Sequence, residues 1–172
     1  MIAAEQRAGV DHHLSVSIVG VDALPSGYYQ AKVAQEQAVR TASARTGVGH
    51  TIARVTQFHD FAALVLRQFK AGPLVLTPPL HVRPVHLDDV AAHLLRLLAR
   101  APAGLAEELS GPRDEELVDM TRRLVTRTRR RLLVVPAPLV GAVRRANNAD
   151  ALRPSGGVRG TITFDTWLDQ QR

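Results

Sequence analysis

The sequence predicts an α/β fold built on a mostly parallel sheet. Three observations predict it. Short runs rich in Val, Ile and Leu alternate with longer stretches that lack Gly and Pro. Gly- and Pro-containing turns separate most of these segments. The residues of His13–Val19 alternate at a period of two, whereas Leu117, Met120, Thr121, Leu124 and Val125 follow helical spacing. With 172 residues and 45% apolar content, the chain can bury one core, so a single domain over 1–172 is expected.

Taken in order, Met1 to Ala8 suits a helix that Gly9 ends. His13–Val19 is the first strand, and Gly20 to Gly27 is a loop. Tyr28 to about Ala44 is rich in Ala, Gln, Lys and Glu and predicts a helix, with Ser26 as its N-cap. Gly47 and Gly49 precede a second strand, His50–Val55. Phe58–Phe69 predicts a helix with Leu64, Val65 and Phe69 inward. Short strands are expected at Leu74–Leu76 and Val82–Val85, around Thr77-Pro78-Pro79. Asp88 or Asp89 caps a helix whose apolar stripe is Val90, Leu94, Leu97 and Leu98. Leu105–Leu109 is a strand ending at Gly111-Pro112. Asp114, Glu115 and Glu116 favour the start of the next helix. Leu132–Val135 is a strand and Pro138–Asn147 a helix. A Gly/Pro-rich tail closes in a helical turn, Phe164 to Leu168, that docks Trp167.

Composition removes several function classes. There are no cysteines, so disulfides, thiolate metal sites and cysteine nucleophiles are absent. No apolar run reaches the roughly 20 residues of a membrane span. The start, MIAAEQRAGVDHH, lacks an export pattern, which points to a cytoplasmic location. The net charge is +6, carried almost wholly by arginine. With four Phe, two Tyr and one Trp there is no stacking platform, and nucleic acid is not the expected partner. Arg127 to Arg131 read instead as the solvent face of a helix. His86, Asp88, Asp89 and His93 are of metal-ligand type, but the two histidines are two helical turns apart with no third between them and His86 precedes the helix, so no metal is expected.

The chemistry-bearing signal is Tyr28 with Lys32, in GYYQAK. At an i, i+4 spacing both side chains lie on one helix face. A nearby ammonium favours the phenolate, so the pair can donate or accept a proton at a carbonyl, and the lysine can reach a nucleotide's ribose. Ser15 and Ser17 lie in the preceding strand. Ser17 is nearer its C-terminal end, where α/β folds bind ligands, and can donate to a substrate oxygen.

The segment RAGVDHHLSVSIVGVDALPSGYYQAKVAQE resembles the atypical short-chain dehydrogenase/reductase superfamily, in its NmrA-like, NAD(P)H-binding branch. HTIARVTQFHDF, HVRPVHLDDVAAHL, LAEELSGPRDEEL and GTITFDTWL resemble later segments of that branch in the same order. The resemblance implies a partial Rossmann-like, doubly wound parallel sheet with flanking helices over 1–112. It assigns 113–172 to a small C-terminal substrate-side region. It further implies that Tyr28, Lys32 and Ser17 are catalytic, and that Lys32, Thr56, Gln57 and Phe58 lie against the nicotinamide cofactor. The partner is then a small-molecule substrate.

The departure from that family is the glycine-rich loop. Gly47/Gly49 and Gly156-Gly157 do not open a strand-to-helix turn that lets a backbone approach pyrophosphate. The chain therefore reads as the C-terminal part of an NAD(P)H-dependent oxidoreductase whose first βαβαβ half is missing. Alone it is expected to be inactive and a poor binder of NAD(P)H, and the outer edge of His13–Val19 is expected to be open. The alternative is a non-catalytic NAD(P)-sensing protein of the same fold.

Overall fold

The structure is a computed structural model that describes residues 1–24 and 27–171. Ser26, the expected helix cap, lies outside the described residues. A five-stranded sheet carries the site. Its strands are β1 (His12–Ile18), β2 (Gly49–Val55), β6 (Gly104–Leu105), β7 (Leu109–Ser110) and β10 (Val158–Arg159). The order is β1-β2-β7-β10, with β6 also on β2, and every pairing is parallel. Among the described residues β1 has β2 as its only strand neighbour, so its other edge is open.

β1 alternates as expected. His13, Ser15 and Ser17 are buried while the residues between them are half-buried. The short helix α1 (Ile2–Arg7) precedes it, and Gly9 turns the chain at φ +72°. A single 3-10 turn (Val21–Ala23) follows β1, then α2 (Gly27–Thr46) crosses to β2. Gly20 is required where the chain leaves β1. Its φ is +74°, and a Cβ there would meet the Ala151 carbonyl oxygen.

The larger apolar core lies beside this sheet. It gathers α3 (Phe61–Gln68), β4 (Leu74–Thr77), α5 (Leu117–Arg127), β9 (Leu133–Pro136) and α7 (Phe164–Asp169). β3 (Lys70–Ala71) pairs antiparallel with β4, and β4 pairs parallel with β9. A third, two-stranded piece joins β5 (His81–Val82) to β8 (Glu115–Glu116). The remaining helices are α4 (Leu87–Leu98) and α6 (Gly141–Asn148). No helix among the described residues is long and apolar enough to cross a membrane.

Several expectations are corrected. Phe58 is not helical: it bridges to Val85, and α3 begins at Phe61. Phe69 follows that helix half-exposed and Leu64 is only half-buried; Val65 faces inward as expected, joined by Ala62 and Leu66. Leu98 leaves the α4 stripe for the surface, and His93 takes an inward position. The cap of α4 is His86, whose Nδ1 accepts from the Asp88 amide at 3.1 Å. Asp89 instead accepts from the Thr161 and Ile162 amides, each at 3.0 Å. Leu105–Leu109 divides into two short strands, and Glu115–Glu116 is a strand before α5. Helix α5 stops at Arg127, so Arg129 lies in a turn at φ 50° and Arg130 and Arg131 in the irregular segment after it. Its expected apolar stripe is fully buried.

Candidate active site

A cleft of about 640 Å³ opens at the C-terminal ends of β1 and β2. This is where parallel α/β sheets present ligand sites, because successive loops diverge there. Ser17 comes from β1, Tyr28 and Lys32 from α2, and Thr56, Gln57 and Phe58 from the residues after β2. The residues singled out from the sequence thus line one cavity. Phe61, Leu64 and Arg67 of α3 form the opposite wall.

The side chains differ in what they have left to offer. Tyr28 is 63% exposed at the cleft and packs edge-on against Tyr29, with ring centroids 5.7 Å apart. Lys32 donates to the Val16 carbonyl at 3.2 Å and to the Gln35 carboxamide oxygen at 3.0 Å. An ammonium has three protons, so one remains for a ligand. Gln35 in turn donates to the Ser15 hydroxyl at 2.9 Å, which pins the first turns of α2 to β1. The Ser17 hydroxyl is buried and makes no close hydrogen bond, though it lies near enough to the Glu36 carboxylate to help hold it low. Thr56 donates to the Arg83 carbonyl at 2.6 Å, so its hydroxyl proton braces the loop before α4. Both polar atoms of the Gln57 carboxamide are buried without a close partner, with the Tyr29 phenol as a polar neighbour. Burial pushes the Tyr29 phenol above its ordinary value, offset in part by the neighbouring Gln57.

Beneath the cleft lies an ion network that the sequence reading missed. Arg54, beside Ser17 in register, donates twice to Glu36, at 2.9 and 2.8 Å. It also pairs with Asp22 at 2.9 Å. Burial alone would raise the Glu36 carboxyl, but the hydrogen bonds and charge of Arg54 outweigh it and hold the carboxyl below its usual range. The Glu36 carboxylate in turn raises the Arg54 guanidinium. Glu36 lies on the Tyr28–Lys32 helix, so the network anchors that helix to β2. The available signal was Glu36 itself, four residues beyond Lys32.

Ser17, Lys32 and Gln57 form a polar set suited to a nucleotide's ribose and an amide-bearing ring. A pyrophosphate cradle is a different matter. Among the described residues no glycine-rich turn joins a strand to a helix. Nor do the described residues contain a cluster of three or more His, Asp or Glu placed to hold a metal ion.

Comparison with known proteins gives the fold. No family model and no curated protein matches the sequence. Solved structures do. The UDP-glucose 4-epimerase of Thermotoga maritima, solved with UDP-glucose, superposes with a TM-score of 0.69 at 16% identity, over 97% of this chain and 64% of that one. A short-chain dehydrogenase/reductase superfamily protein of Agrobacterium tumefaciens with bound NAD gives 0.65 at 17% identity, over 98% and 68%. The NADPH-dependent quinone oxidoreductase QOR2 of Escherichia coli gives 0.64 at 16% identity, over 98% and 70%. The chain is therefore an α/β protein with the Rossmann-like fold of these nucleotide-dependent enzymes. It spans about two thirds of the length of the solved chains it matches, which runs from 64 to 70% here.

Proposed function

We propose that this chain is the substrate-side portion of an NAD(P)H-dependent oxidoreductase of the NmrA-like, atypical short-chain dehydrogenase/reductase type. The observation that supports it is the convergence of Ser17, Tyr28, Lys32 and Gln57 from separate elements into one cleft at the strand ends. The nicotinamide supplies a hydride when bound, since no side chain can. Tyr28 holds the proton delivered to the carbonyl oxygen. Lys32 steadies that phenol and binds ribose through its remaining proton. Ser17 donates to the substrate oxygen, and Gln57 orients the amide-bearing ring. The pyrophosphate is held by a glycine-rich segment other than the residues described. A small carbonyl compound is the substrate, and neither a membrane nor nucleic acid is the partner.

The test joins this chain to a strand–helix segment that carries a glycine-rich loop. NADPH oxidation is then followed with a panel of quinones and ketones. Tyr28→Phe and Lys32→Ala are each expected to lower turnover by about 10² or more, the usual worth of a positioned proton donor. Unchanged turnover in both variants would overturn the assignment. Saturable NADPH binding with no turnover on any acceptor would favour the sensing alternative.

A further inference from the structure

Phe58 and Asp60 line a second cavity as well as the main cleft. This side chamber holds about 160 Å³, and its other walls are His59, His86, Leu87, Asp88 and Trp167. At about 30 Å³ per water molecule, it has room for one small ring.

His59 is the unusual wall. It is 2% exposed, and its Nε2 lies 3.0 Å from the Ile162 carbonyl oxygen. A carbonyl oxygen only accepts, so Nε2 carries the proton and Nδ1 keeps a lone pair. That Nδ1 is buried and has no partner. Buried polar atoms are normally paired, and leaving one unpaired is costly. The surroundings fix this tautomer. Asp89 holds the Ile162 amide at 3.0 Å, so the carbonyl of the same residue is held in place. The rings of Phe164, His86 and Trp167 lie 5.8, 5.8 and 6.2 Å from His59. Burial also pushes the imidazole below its ordinary value, which keeps it a neutral acceptor.

We infer that the side chamber is a recognition subsite for a flat, apolar group bearing one neutral hydroxyl, whose O–H donates to His59 Nδ1. Phe58, Leu87 and Trp167 supply the apolar walls for the ring. Asp60 and Asp88 at its margin disfavour an anion. As a subsite for substrate this rests on the oxidoreductase reading, because Phe58 and Asp60 are walls of both the chamber and that cleft. The substrate class becomes a carbonyl compound with a phenolic or enolic hydroxyl on an arm that passes Phe58.

Trp167 is the only tryptophan, so its indole gives a single N–H cross-peak in a proton–nitrogen correlation spectrum. Phenol and toluene are matched in size and differ in the donor. Titrated into the full chain without cofactor, phenol is expected to shift that cross-peak saturably and to bind about fivefold more tightly than toluene, the factor one net hydrogen bond gives. His59→Leu removes the acceptor, and with it the donor to Ile162, and should erase the phenol preference. Equal binding of the two probes by the unaltered chain, or no saturable shift with either, would overturn the inference. So would a phenol preference that survives in a folded His59→Leu chain. Because neither probe needs NADPH, failure here leaves the oxidoreductase reading standing, and absence of turnover leaves the chamber standing.

Discussion

Helices α2 and α5 are held in the molecule by opposite means. Six of the eleven residues of α5 are buried, and all but Thr121 are apolar. Helix α2 has twenty residues, of which Glu36 and Val39 are buried. α5 is fixed by apolar area removed from water, worth roughly 1.5–3 kcal/mol for each large side chain. α2 is fixed by directed polar links: Glu36 to Arg54, Lys32 to Val16, and Gln35 to Ser15. The difference follows from their tasks. The core helix needs strength from any direction. The helix that carries Tyr28 and Lys32 must present polar groups to the cleft, and directional bonds set its rotation about its own axis.

The largest effect expected on either side is in the apolar region. Phe164 is buried between Trp167, at a ring distance of 5.3 Å, and the Arg123 guanidinium, 4.8 Å above its ring. Phe164→Ala should cost about 3–5 kcal/mol by denaturant unfolding. On the polar side, Glu36→Ala removes a charged hydrogen-bonded pair and leaves Arg54 with Asp22 alone. A loss of about 1.5–3 kcal/mol is expected, with α2 loosened locally in amide exchange. Equal protection of α2 and α5 in that variant would break the comparison.

The polar links should also respond to pH. Arg54 holds the Glu36 carboxyl low in the folded protein, and Arg83 does the same for Asp114. A depressed carboxyl stabilises above its unfolded value, and that stability is lost as pH falls through the folded value. Unfolding free energy should therefore decline on the acid side, within and below the ordinary carboxylate range. Glu36→Gln should make that decline shallower, measured as midpoint against pH. Smaller still is Thr163→Ala. The Thr163 hydroxyl caps α7 by accepting from the Thr166 amide at 3.2 Å. Its loss should cost about 1 kcal/mol and broaden the Trp167 indole signal.

Much of this was legible in the sequence, for reasons that differ by element. The β1 alternation and the α5 stripe are long enough for periodicity to speak, and both are observed. β5, β8 and β10 are two residues each and carry no period at all. Glu115 and Glu116 resemble a helix start by charge, yet pairing with His81 and Val82 takes them into a strand. Asp88 and Asp89 have the right chemistry to cap α4, but His86 is placed one residue ahead of the helix, and Asp89 binds the distant tail instead. That Ser17, Tyr28, Lys32 and Thr56–Phe58 would line one cleft was legible because Ser17 lies near the end of β1 and the others follow β1 or β2, and a parallel sheet gathers those ends. The side chamber was not. His59 and Trp167 are brought together by the tail, and no local spacing records that.

The tie between His59 and Ile162 spans 103 positions, and that between Asp89 and Ile162 spans 73. A ribosome delivers the chain from its N-terminus, so β1, α2 and β2 emerge long before the residues that close the chamber. The cleft's floor can therefore exist on a growing chain while His59 still lacks the carbonyl that sets its tautomer. Clipping the chain before Ile162 would remove that carbonyl and, with Phe164 and Leu168, part of the larger core as well.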